Sequence, residues 1–151
     1  MGIWAAKALS MTLAVGQTHR PDITQRCWSL LQDAAKDGNP GVRKDAAEAL
    51  SLLPLGDQTL PRLESMLHDR DVAVRIAAVT TLRDFKDKRT VPLLRNALAV
   101  PVPEVDFAAA KVLYQLHDPE GEQFLLTVVA GESKGASSYL SRSFHKYTNV
   151  F

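Results

Sequence analysis

Residues 74–82, VRIAAVTTL, place apolar and small side chains at a helical interval. Val74, Ala77, Ala78, Thr81 and Leu82 fall at i, i+3, i+4, i+7 and i+8, which is one face of a helix. Alanine dominates the middle of that face, so a neighbouring helix can approach closely. The phrase returns upstream as VRKDAAEAL (42–50) and, slightly altered, downstream as VDFAAAKVL (105–113). Val42, Val74 and Val105 recur at nearly equal intervals, and Leu50, Leu82 and Leu113 keep the same spacing.

A second phrase lies between the copies. DQTLPRL (57–63) is echoed by KRTVPLL (88–94), and Pro61 and Pro92 are set apart by the interval that separates Val74 from Val105. GEQFLLTVV (121–129) keeps the position and loses the proline. Leu60, Leu63 and Leu67 share a helical face. Pro61 and Pro92 fit the first turn of a helix, where the missing amide has no intrahelical partner anyway. LPLGD, DFKDK and LHDPEG punctuate the helices as turns. The unit is helix, turn, helix, turn, and no strand pair is predicted. Self-similarity at this period predicts an all-α solenoid, a superhelix of helix-turn-helix repeats.

AAKALS (5–10) nearly repeats AAEALS (46–51), and DITQRCWSLL (22–31) stands where its partner helix is due. The solenoid is therefore expected over residues 1–132, with about four helix pairs of which the first is degenerate. Residues 133–151 read as a tail or the start of a further repeat. FLLTVVA (124–130) is apolar nearly all round, so it is expected to be buried on several sides, by the tail, a further repeat or a partner. The tail carries Tyr139, Leu140, Phe144 and Tyr147 without an evident polar cap. Either further repeats or self-association is expected at that end.

These phrases resemble the HEAT-repeat (armadillo-like) family, especially the bacterial type called phycobilisome-lyase HEAT-like repeats. The resemblance rests on Val42-Arg43 with Ala46-Ala47 and Leu50, on Val74-Arg75 with Ala77-Ala78 and Leu82, and on the Asp57/Pro61 and Asp87/Pro92 phrases. It covers about residues 5–130, with the two central copies the most specific. It implies that Arg43 and Arg75 pair with acids in neighbouring turns, Asp57, Asp87 or others nearby. Asp106 departs from the pattern, because a basic residue is expected after the valine. The resemblance also implies that the second helices line a concave, partner-binding side.

With Leu60, Leu63 and Leu67 inward, Ser65 points outward between Arg62 and His68. One repeat on, Leu93, Asn96 and Ala99 take the places of Arg62, Ser65 and His68, and Arg95 sits at the edge of the face. Arg62, Ser65, His68, Leu93, Arg95 and Asn96 are the candidate protein-binding residues. A plain solvated surface explains the same pattern.

Charge and composition change this picture little. A net charge of +1 on 151 residues argues against a chain that lives on phosphate backbones. Lys86, Lys88, Arg89 and Arg95 form a basic stretch, but Asp84 and Asp87 interrupt it. The single cysteine, Cys27 beside Trp28, reads as core and not as a nucleophile. The chain has no Gly-rich phosphate loop, no G-x-S-x-G and no H-E-x-x-H. His68-Asp69 and His117-Asp118 fall in turns, where a histidine can cap the last carbonyls of a helix. No metal, no other cofactor and no catalytic residue is expected.

The expected function is thus a non-catalytic scaffold that binds a protein partner through its second helices. The alternatives are a bilin-lyase-like or other enzyme-assisting HEAT protein, and nucleic-acid binding along a basic face. A cytoplasmic location is expected. A short signal peptide within residues 1–16 is the alternative, since Lys7 precedes ALSMTLAV. That run is too short and interrupted to span a membrane.

Overall fold

The computed structural model describes residues 20–99 and 102–130. They form α1 (Arg20–Ala34), α2 (Pro40–Ala49), α3 (Thr59–Leu67), α4 (Val72–Phe85), α5 (Val91–Leu98), α6 (Pro103–Gln115) and α7 (Pro119–Val129). Short 3-10 turns, Leu50–Leu52 and Lys88–Thr90, follow α2 and precede α5. No strand occurs among the described residues. The expected helix at residues 5–10 and the tail 133–151 lie outside them.

Local chemistry sets the helix boundaries. Asn39, Asp71 and Asp118 each accept a hydrogen bond from the backbone N–H two residues on, which satisfies one orphan donor of the first turn. Prolines open α2, α5, α6 and α7, and Pro61 lies in the first turn of α3. Lys86 after α4 and His117 after α6 are left-handed, with φ of 50° and 60°. They stand one repeat apart, so the same turn is made twice. At His117 the cap is a Schellman motif: His117 N–H donates to Tyr114 O and Asp118 N–H to Leu113 O.

The thrice-written phrase is the core face of α2, α4 and α6. Ala46 and Ala47, Ala77 and Ala78, and Ala109 and Ala110 are all buried, as are Leu50, Leu82 and Leu113. Helix α4 packs against α2 on one side and α6 on the other. The small side chains allow that approach, and Thr81 Oγ1 crosses the first joint to donate to Ala47 O at 2.9 Å. Helix α3 packs on α4, while α5 and α7 pack on α6. Val42 is 36% exposed, while Val74 and Val105 are buried.

The second helices begin alike. Thr59 and Thr90, one repeat apart, are buried and donate to Pro54 O and Asp87 O. The third equivalent is Gly121, buried against α6. A Cβ there would lie 2.5 Å from Tyr114 N and 2.7 Å from Ala110 O. Glycine at this position lets α7 sit directly on the α6 backbone.

One burial expectation is corrected, and a second is met only in part by the described helices. Cys27 is exposed, because α1 turns Trp28, Leu31 and Ala34 toward the core and leaves Ile23, Cys27 and Leu30 outside. On α7, only α6 packs extensively among the described helices, so Leu126 (61%) and Val129 (80%) are exposed. The described helices alone therefore leave this apolar segment partly uncovered.

Candidate functional site

The arginine that follows the valine in each phrase is expected to meet an acid in a neighbouring turn. Arg43 does so, but its partner is Asp69, in the turn before α4, and not Asp57 or Asp87. Arg43 Nε and Nη2 donate to the two Asp69 oxygens at 2.8 Å each. Its Nη1 donates to Asp37 O and Gly38 O. This fork-to-fork geometry satisfies a guanidinium that is almost fully buried. The hydrogen bonds with Asp69 raise the Arg43 pKa, and those same bonds lower that of Asp69. Asp57 is exposed, while Asp87 caps the turn before α5 and pairs with Arg89.

The next joint is built differently. The position matching Asp69 is Val100, and the N-cap matching Asp71 is Val102, which has no side-chain cap bond. Arg75 Nε accordingly has no hydrogen-bond partner among the described residues. Asp106 replaces the next arginine and is only 9% exposed. Its Oδ1 is likewise without a partner, while the carboxyl accepts a hydrogen bond from the Val102 backbone N–H just before α6. Burial pushes the Asp106 pKa up to about 6; Glu104 pushes the same way, and the charge of Arg75 opposes them.

On the second helices the candidate residues separate into two kinds. Ser65 and His68 on α3, and Arg95 and Asn96 on α5, are exposed, and Arg62 is half-exposed. Leu93 is partly buried and packs against the core, so it is not a free anchor. Its neighbours on the α5 wheel, Leu94 and Ala97, pull that edge inward. His68 ends α3 and its Nδ1 lies 2.9 Å from Glu64 O. A carbonyl can only accept, so Nδ1 carries the proton and caps the helix. Arg95 bridges to the start of α7, reaching Asp118 at 2.7 Å and Glu120 at 3.2 Å. The bond to Asp118 raises the Arg95 pKa.

These pairs dismantle the basic stretch seen in sequence. Arg89 is engaged by Asp87 and Arg95 by Asp118 and Glu120, which leaves Lys86 and Lys88 as its uncommitted charges. Among the described residues no three histidine, cysteine or acidic side chains cluster as a metal site would require. No helix among them is long and apolar enough to cross a membrane.

The signal in the sequence that points to this pairing is Asp69-Arg70-Asp71. Both aspartates precede a Val-Arg phrase, one to cap α4 and one to receive Arg43. Of the candidate face, His68 and Arg95 are tied into the fold and Leu93 packs on the core, while Ser65 and Asn96 are exposed.

A model of HEAT repeats matches residues 60–135. No curated protein and no solved structure matches the chain. The matched stretch takes in α3 to α7, with the repeated alanine seam of α4 and α6, and amounts to half of the 151 residues. On that match, and on the regular recurrence of its helix pair, the chain belongs to the HEAT-repeat family.

Proposed function

We propose that this protein is a non-catalytic, cytoplasmic scaffold whose helix pairs stack into a superhelical solenoid and bind a protein partner. The binding face is formed by successive second helices, with Arg62, Ser65 and His68 on α3 and Leu93, Arg95 and Asn96 on α5. One observation carries the reading. Ser65 and Asn96 occupy the same position one repeat apart, and both are exposed. HEAT repeats commonly mediate protein interactions, and a rigid frame that presents side chains at a fixed interval suits that role. Leu93 serves at the edge, where its half-buried side chain gives a partner apolar surface already held in place.

The phycobilisome-lyase resemblance adds no residue to which an activity attaches. Nucleic-acid binding is disfavoured by the pairing of Arg89 and Arg95. The test is affinity capture from native lysate with the wild-type chain and with Ser65→Arg/Asn96→Arg. Both positions are exposed, so the variant keeps the fold. The proposal expects proteins retained at moderate salt by the wild type and lost by the variant. The same proteins on both, or nucleic acid that salt removes, would count against it.

A further inference from the structure

A cleft that the proposed face does not use lies between first helices. It opens between the C-terminal ends of α4 and α6 and has a volume of about 540 Å³. Val112 and Leu116 form its apolar floor; Arg83, Lys86, Lys88 and His117 stand around it. It continues along the seam into a smaller cleft of about 170 Å³, where Thr80 and Ala108 leave room and Lys111 joins the rim. Arg83 and Val112 belong to both, so the two are one groove. The repeat explains its place: Lys86 and His117 are the two left-handed turn residues, and each turns the chain out of the way where its helix ends.

The groove is electropositive. Asp84 holds Arg83 at 2.9 Å and neutralises it. Lys86, Lys88 and Lys111 are in no ion pair among the described residues. Lys111 lies 6.0 Å from the centre of the Phe107 ring, which leaves its ammonium charge uncancelled. The two helix C-termini contribute roughly half a negative charge each, less than three ammonium groups supply. From Ala108 to Leu116 the seam runs ~12 Å, the length of about four residues of extended chain.

We infer that this α4–α6 groove binds a short acidic peptide segment of a partner protein, with one apolar side chain on Val112 and Leu116 and flanking carboxylates on Lys86, Lys88 and Lys111. Charge complementarity selects an acid, and the apolar floor selects a side chain over a phosphate. No phenylalanine, tyrosine or tryptophan side chain lines either cleft to stack on a base. The site is on a different face from the second helices, so it stands or falls apart from the scaffold reading.

The test is an NMR titration of the full ¹⁵N-labelled chain with acetyl-Glu-Glu-Leu-Glu-Asp-amide. The same peptide with glycine for leucine, and a single-stranded oligothymidylate, serve as comparators. Amide shifts are expected at Arg83, Lys86, Lys88, Val112 and His117. Lys86→Gln/Lys88→Gln/Lys111→Gln should weaken the peptide about tenfold, from three surface pairs of roughly 0.5 kcal/mol each. The three lysines are exposed, and a dispersed spectrum checks the fold; Lys111→Gln alone replaces the triple variant if dispersion is lost. Ser65→Arg/Asn96→Arg should bind the peptide as the wild type does. Four results would overturn the inference: no shifts at the groove, unchanged affinity in the lysine variant, equal binding of the glycine peptide, or tighter binding of oligothymidylate at the same residues.

Discussion

The α2–α4 joint and the α4–α6 joint use the same seam and different charges. Both bury alanines and leucines from the same phrase. The first adds a bidentate Arg43–Asp69 pair and the Thr81–Ala47 bond. The second has an arginine with an unbonded Nε and a buried aspartate with an unbonded oxygen. Helix α4 nevertheless packs on both neighbours. The apolar seam is therefore what stacks the repeats, and the bidentate Arg43–Asp69 pair is an addition made at the first joint.

The largest effect should come from breaking the complete joint. Asp69→Ala leaves the Arg43 charge buried with only the Asp37 and Gly38 carbonyls, and should cost about 3 kcal/mol. Arg75→Met, at the incomplete joint, should change stability by less than about 1 kcal/mol. Urea unfolding midpoints check both. Equal losses would mean that the two joints do not differ as described.

Gly121→Ala tests the close approach that the third pair has and the others lack. The new methyl meets backbone atoms that cannot rotate aside. Overpacking should cost about 2 kcal/mol after helix propensity offsets part of it, read as a lower thermal midpoint.

Asp106 gives the comparison a pH signature. Its folded pKa of about 6 lies above the ordinary 3.8, so the native state holds the proton more tightly than the unfolded chain. Its cost is present at neutral pH and is relieved as pH falls through 6 toward 4. Asp69 works in the opposite sense: its pKa is lowered, so its stabilisation holds above the usual carboxylate range and is lost below about 4. Stability should rise as pH falls from 7 and peak near the ordinary carboxylate pKa of about 4, with about 1 kcal/mol of the gain already present at pH 5. Asp106→Asn should raise neutral stability by a similar amount and flatten the curve between pH 5 and 7.

The smallest effect is at the turns. Lys86→Gly or His117→Gly relieves a left-handed backbone and should stabilise by about 0.5 kcal/mol, seen as a small rise in midpoint.

The core was legible because it repeats: every residue of the Val74 face is buried as its spacing predicts. On α3 the Leu60–Leu63–Leu67 reading missed Met66, since the helix is rotated enough to bury Met66 and leave Leu60 at the margin. The His68 cap was legible from its place in a turn. The Asp69 partnership was not, because it joins two distant turns of the chain and depends on how α3 returns toward α2. The odd aspartate was visible at 106, but its burial depends on how α6 packs. Leu93 shows the limit for the candidate face: a wheel placed it outward, and neighbouring side chains in the core decide how far it turns in.

The most direct test of the second-helix face is a photo-cross-linker placed at Asn96, with Glu48 on α2 as the control position, both exposed. Irradiation in the native cell should give discrete protein adducts from position 96 and none from 48. Adducts from 48 alone, or the same set from both, would contradict the second-helix face.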